Sequence, residues 1–112
     1  MRPDTARSRS PSVEEVIGLV RFVACRHGYA IGVHGSLDRD VDLIAAPWIE
    51  HTSTPDELAK AIADALGSSV MKRRERWHGR IGYVVVLRSA SRPNYVDLSV
   101  LAPFGAAGRR SG

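Results

Sequence analysis

Residues 29–48 read YAIGVHGSLDRDVDLIAAPW, and this stretch decides the fold. Two apolar segments, Tyr29–Val33 and Val41–Trp48, are typical of short strands, and a segment rich in Gly and Asp separates them. Pro47 cannot donate a backbone hydrogen bond, so it marks the end of the second strand. The stretch therefore predicts a β-hairpin with acidic residues at its tip.

Capping signals predict a helix on each side of this hairpin. Ser12 and Glu15 form a capping box ahead of apolar residues with helical spacing, and Thr54 and Glu57 form a second one. A glycine follows each apolar pattern and is a suitable helix end. The positions expected to face the core are Val13, Val16, Ile17, Val20, Val23 and Ala24 in the first helix and Leu58, Ile62, Ala65 and Leu66 in the second.

The second half of the chain adds two strands. Val70–Trp77 is basic and polar and is interpreted as a connector, whereas Ile81–Arg88 and Asn94–Leu101 have the composition of strands. The element order is then α-β-β-α-β-β. This order predicts an α+β fold with a mixed or antiparallel four-stranded sheet and two helices packed on it. Residues 12–104 are expected to form one domain, between a disordered basic arm at 1–11 and a disordered tail at 105–112.

Composition and charge indicate an ordinary globular protein. The 112 residues carry a formal net charge of +4, and the arginines of the two tails account for this excess. No apolar run approaches the roughly 18 residues needed to cross a bilayer, which predicts a protein without membrane contact. The single cysteine, Cys25, agrees with a reducing cytoplasm and is expected to be a buried, inert thiol. Trp48 is expected to pack in the core or at its edge.

Acidic residues recur on the predicted strands. Asp40 and Asp42 are two residues apart, so their side chains are expected on one face of a strand, about 7 Å apart. Asp97 lies within an apolar strand, where a carboxylate is costly unless it is paired or bound to metal. Carboxylates arranged in this way suit Mg²⁺. The other reading of Asp40 and Asp42 is a polar turn whose charge Arg39 balances.

A Gly-Ser pair precedes the acids. Gly35 allows a close approach to a phosphate, and the Ser36 hydroxyl can donate a hydrogen bond to it. Gly-Ser after a strand, Asp-apolar-Asp on the next strand and one more Asp on a later strand together resemble the nucleotidyltransferase superfamily. The resemblance implies that Gly35 and Ser36 contact a nucleoside triphosphate and that Asp40, Asp42 and Asp97 bind Mg²⁺ as catalytic residues. It does not identify the acceptor.

The same segments also resemble small uncharacterised bacteriophage proteins, which implies a phage or prophage origin and the cytoplasm of a bacterial host. Only Leu37, Asp38 and Arg39 separate Ser36 from Asp40. Three residues cannot form the phosphate-binding helix that follows Gly-Ser in active family members. One alternative is therefore a catalytically inactive phage accessory or protein-interaction module of the same fold. Another is nucleic-acid binding through the basic tails and Lys72–Arg76, although a solvated connector is the favoured reading of that segment.

Overall fold

The computed structural model describes residues 12–35, 40–76, 79–87 and 94–102. The predicted arm at 1–11 and the tail at 105–112 lie outside these ranges. The described residues form two helices and five strands. In chain order these are α1 (Val13–Arg26), β1 (Tyr29–Val33), β2 (Asp40–Pro47), α2 (Pro55–Ala65), β3 (Val70–Glu75), β4 (Ile81–Val86) and β5 (Tyr95–Val100).

Both helices begin at the predicted capping boxes. The Ser12 hydroxyl accepts from the Glu15 amide at 3.1 Å, and the Glu15 carboxylate accepts from the Ser12 amide at 2.8 Å. Thr54 and Glu57 repeat both bonds at the same distances. These bonds satisfy amide groups that have no partner within a helix. Neither described helix is long and apolar enough to cross a membrane.

The sheet has five strands in the order β1-β2-β5-β4-β3, and β2–β5 is its parallel pair. The prediction of four strands was wrong, because the segment taken as a connector forms β3 and pairs antiparallel with β4. Lys and Arg have weak strand propensity, but pairing with an apolar neighbour overrides propensity, and charged side chains suit an edge strand. The α+β class with a mixed sheet and two helices is confirmed.

The core lies on one face of the sheet, between the sheet and both helices. Its buried residues are Val16, Val20 and Ala24 of α1, Leu58, Ala59, Ile62 and Ala63 of α2, and Tyr29, Val41, Leu43, Ala45, Tyr83, Val85, Leu87, Val96, Leu98 and Val100. Three predicted positions differ. Ala65 and Cys25 are exposed because they lie on the outer sides of their helices, and Trp48, just after β2, is 57% exposed.

Candidate carboxylate site on the sheet face away from the helices

Side chains alternate in direction along each strand, so half of them point away from the core. We call this side of the sheet the helix-free face, because no described helix packs on it. Val41 and Leu43 point to the core, so Asp42 between them points away. The strand residues of this face are Ala30 and Gly32 of β1, Asp40, Asp42, Ile44 and Ala46 of β2, Tyr95, Asp97 and Ser99 of β5, Gly82, Val84 and Val86 of β4, and Lys72 and Arg74 of β3.

The three predicted carboxylates all lie on the helix-free face. Asp42 and Asp97 are direct partners in the register of the parallel pair β2–β5. Neighbouring strands are about 4.8 Å apart, which is therefore the approximate separation of these two backbones. Asp40 lies two residues earlier on β2, about 7 Å from Asp42 along the strand. All three residues are half-buried. The fold thus places side by side two acids that are far apart in the chain.

The charge of this group is poorly compensated. Burial raises the pKa of Asp42, and the negative charges of Asp97 and Asp40 raise it further. His34 opposes these effects and lowers the pKa. Within the described ranges, no Lys or Arg forms an ion pair with any of the three carboxylates. Asp42 consequently holds its proton to a higher pH than an ordinary aspartate.

Gly35 lies directly against the Asp42 carboxylate. Its φ angle is +82°, a conformation that side chains disfavour, and a Cβ atom there would lie 2.5 Å from Oδ2 of Asp42. The amide of His34 donates to the Asp42 carbonyl at 3.0 Å, which fixes this end of the hairpin. In the described residues Gly35 therefore lies close to an acid, and its contact with a phosphate stays a prediction. Ser36, the other predicted phosphate contact, lies outside the described residues, as do Asp38 and Arg39.

The donor set suits a hard cation. Mg²⁺ is commonly held by one or two carboxylates together with waters and substrate phosphates, so Asp42 and Asp97 can form the protein part of such a site. Among the residues that the structure describes, no three His, Cys, Asp or Glu side chains are arranged to hold a metal together. A role for Asp40 as a further ligand stays a prediction.

Two features of this part of the molecule were not predicted from the sequence. Lys72 and Arg74 share the helix-free face with the acids, because they belong to a strand and not to a connector. On the opposite face, Asp56 accepts hydrogen bonds from the Tyr83 hydroxyl at 2.5 Å and from Nε of Arg73 at 2.8 Å. The Lys-Arg-Arg run at 72–74 does not indicate which of its cations lies on which face of the sheet. That assignment depends on the pairing of β3 with β4.

No protein-family model matches this chain, and no curated protein matches it at a significant level. The resemblance to the nucleotidyltransferase superfamily therefore stays a prediction that depends on the residue pattern.

Proposed function

We propose that the chain is a minimal nucleotidyltransferase-like protein that binds Mg²⁺ and a nucleoside triphosphate on its helix-free face. The observation that carries the proposal is the register pairing of Asp42 with Asp97, two acids on adjacent strands with no basic partner among the described residues. Asp40 and Gly35 adjoin the pair and complete the part of the pattern that the structure describes.

Electrostatics favours a cation at this position. Two carboxylates at paired positions of neighbouring strands repel each other, and partial burial strengthens the repulsion because less water screens it. A buried or half-buried acid is normally paired, hydrogen-bonded or bound to metal. The raised pKa of Asp42 is the expected sign of such a site in its metal-free form. Binding of a divalent ion would relieve the repulsion and lower that pKa.

The residues have separate roles in the proposed reaction. Asp40, Asp42 and Asp97 would hold the metal. In the transfer step the acceptor oxygen would bond to the α-phosphorus of the triphosphate, the bond from that phosphorus to pyrophosphate would break, and Asp97 would take the proton of the acceptor hydroxyl. Gly35 leaves the space beside its backbone that the Asp42 carboxylate occupies, and Ser36 would donate a hydrogen bond to a phosphate. When bound, Mg²⁺ stabilises negative charge on the transferred group.

Isothermal titration calorimetry tests the proposal on the full chain. Mg²⁺ would be titrated with and without each of the four nucleoside triphosphates, in the native protein and in Asp42→Asn/Asp97→Asn. We expect Mg²⁺-dependent binding that weakens at least tenfold in the double variant, because both central ligands lose their charge. Asp64→Asn is the control, since Asp64 is an exposed acid of α2 that pairs with Lys60. No binding by the native protein, or equal binding by the double variant, would contradict the proposal.

A second candidate is a protein of the same fold that binds nucleotide or a protein partner without catalysis, such as a phage accessory protein in a bacterial cytoplasm. The short connection from Gly35 to Asp40 favours it, because four residues leave no room for a phosphate-binding helix. A nucleotide-transfer assay with labelled triphosphate and mixed acceptors separates the two candidates. Nucleotide binding without release of pyrophosphate favours the non-catalytic protein.

A further inference from the structure

A row of positive side chains occupies the edge of the helix-free face. Lys72 and Arg74 are two residues apart on the edge strand β3, and both are exposed. Lys72 is the register partner of Val84, and Arg74 is the partner of Gly82. The intervening Arg73 points to the other face, where it pairs with Asp56. Strand alternation thus separates an arginine that stabilises the fold from two cations that face solvent.

Arg76 joins this row by lying over the sheet. A Cβ atom on Gly82 would be 2.6 Å from Nε of Arg76, so the guanidinium occupies the space that a side chain at position 82 would fill. Because Gly82 is the register partner of Arg74, Arg76 lies beside Arg74 on the same face. In the described part of the chain, no carboxylate forms an ion pair with Lys72, Arg74 or Arg76. Three unneutralised cations are therefore adjacent, which an anion would stabilise.

The spacing of the three cations favours a ligand with several negative charges, such as a chain of phosphates. Lys72 and Arg74 are about 7 Å apart along the strand, and the Arg76 guanidinium lies beside Arg74, so the three cations suit more than one phosphate. Beyond Arg76, a cleft of about 200 Å³ is lined by Arg80 and also by Glu75, an acid that pairs with Arg73. Because β3 is the edge strand, a chain of phosphates can approach along its whole length.

The surface next to the cations suits unpaired bases. Val84 and Val86 are half-buried on the helix-free face, and Tyr95, the register partner of Val86, is 36% exposed. The aromatic ring of Tyr95 can stack with a base of any sequence, and the two valines offer apolar contact beside it. Asp97 lies one strand beyond Val84, about 10 Å from β3, and its charge repels phosphates. The phosphate backbone is thereby confined to the edge, and the second backbone of a duplex would meet the acids.

We propose that the row formed by Lys72, Arg74 and Arg76 binds the phosphate backbone of single-stranded nucleic acid, with its bases over Val84, Val86 and Tyr95. This binding requires neither Mg²⁺ nor a nucleoside triphosphate, so it is independent of the proposed transferase activity. If both hold, the strand lies beside the carboxylate pair, in the position of an acceptor.

Fluorescence anisotropy with the full chain tests this interface. The probes are a labelled oligothymidylate and a labelled duplex of equal length, each titrated at several salt concentrations. We expect tighter binding of the single strand. In Lys72→Ala/Arg74→Ala, the slope of log K against log salt should fall in magnitude by about 1.4, and affinity at 0.1 M salt should fall on the order of tenfold, because each lost phosphate contact on a single strand contributes about 0.7.

The matched control is Arg21→Ala/Arg26→Ala, which removes the same charge from exposed positions of α1, on the opposite side of the sheet. It should retain the native slope. Equal losses in the two double variants would overturn the proposal, because the binding would then depend on net charge alone. No oligonucleotide binding, or preference for the duplex, would also overturn it. Retained oligonucleotide binding by Asp42→Asn/Asp97→Asn supports the row as a site separate from the acids.

Discussion

Asp56 and Asp42 lie against opposite faces of the same sheet and have opposite electrostatic surroundings. Asp56 accepts hydrogen bonds from Tyr83 and Arg73, and these bonds lower its pKa. Asp42 has Asp97 and Asp40 as neighbours, and burial together with their charges raises its pKa. The surroundings therefore stabilise the ionised form of Asp56 and destabilise the ionised form of Asp42.

The difference separates a structural cluster from a candidate site. The bonds of Asp56 join the first turn of α2 to β3 and β4, and the same cluster raises the pKa of Tyr83 through burial of the phenol and the charge of Asp56. That cluster needs no further partner. Asp42 and its acidic neighbours can still bind a positive ligand, because no described Lys or Arg pairs with them. The fold tolerates these charges because no described helix covers this sheet face and the acids keep contact with water.

The largest expected effect comes from removing the structural carboxylate. Asp56→Ala should lower the free energy of unfolding by about 1.5 kcal/mol, because the buried Tyr83 hydroxyl loses its acceptor and α2 loses a negative charge in its first turn. This figure is below that of a fully buried pair because the Asp56 side chain is 62% exposed and solvent screens its charge. Urea denaturation measures the change.

Two variants sharpen this prediction. Asp64→Ala removes another acid from α2, but its ion pair with Lys60 is exposed, so a loss below about 0.5 kcal/mol is expected. In a Tyr83→Phe background, Asp56→Ala should cost less, because no hydroxyl is left without an acceptor. A full loss in that background would show that the Tyr83 bond does not account for the effect.

The next effect concerns the glycine beside Asp42. Gly35→Ala should destabilise the protein by about 1 kcal/mol, because alanine is strained at positive φ. It should also weaken Mg²⁺ binding, since the new methyl group displaces the Asp42 carboxylate. Gly67→Ala is the matched control, because Gly67 has a φ of +69° but no atom within 4 Å of its Cβ position. Calorimetry that shows equal Mg²⁺ affinity in the two variants would argue against the site.

The smallest expected effect is a gain in stability, whereas the two preceding substitutions are expected to reduce it. Asp42→Asn should raise the stability of the metal-free protein at pH 7 by several tenths of a kcal/mol, because it removes a charge that its neighbours repel. At saturating Mg²⁺ the native protein should instead be more stable than Asp42→Asn, because metal binding stabilises the native site and the variant lacks that binding. A destabilised variant without metal would show that Asp42 has a compensating partner.

The pH dependence follows from the directions of the two pKa shifts. The penalty at Asp42 is absent below its ordinary pKa of 3.8 and is complete once the pH exceeds the raised value, so the advantage of Asp42→Asn should appear as pH rises through this window. The contribution of Asp56 is complete above 3.8 and is lost as pH falls through its lowered pKa. Urea denaturation between pH 3 and 7 measures both trends.

Much of the local structure could be predicted because its causes are local. The capping boxes at Ser12 and Thr54 need only residues three positions apart, and they start both helices as expected. In β5 the apolar residues Val96, Leu98 and Val100 alternate with polar ones, and these three residues face the core, as the pleat of a strand requires. The shared face of Asp40 and Asp42 followed from the pleat of a strand, whichever strand lies beside it.

Only the tertiary structure decided which strands are neighbours. The pairing of β2 with β5 places Asp97 opposite Asp42. The pairing of β3 with β4 makes the predicted connector a strand whose alternate cations lie on the same sheet face as the acids. The first of these contacts joins residues far apart in the chain, the second is a hairpin between consecutive strands, and both depend on how the helices and strands together bury one core. The sequence therefore determined the helices, most strands and the candidate acids, while the fold determined their neighbours and hence where charge remains uncompensated.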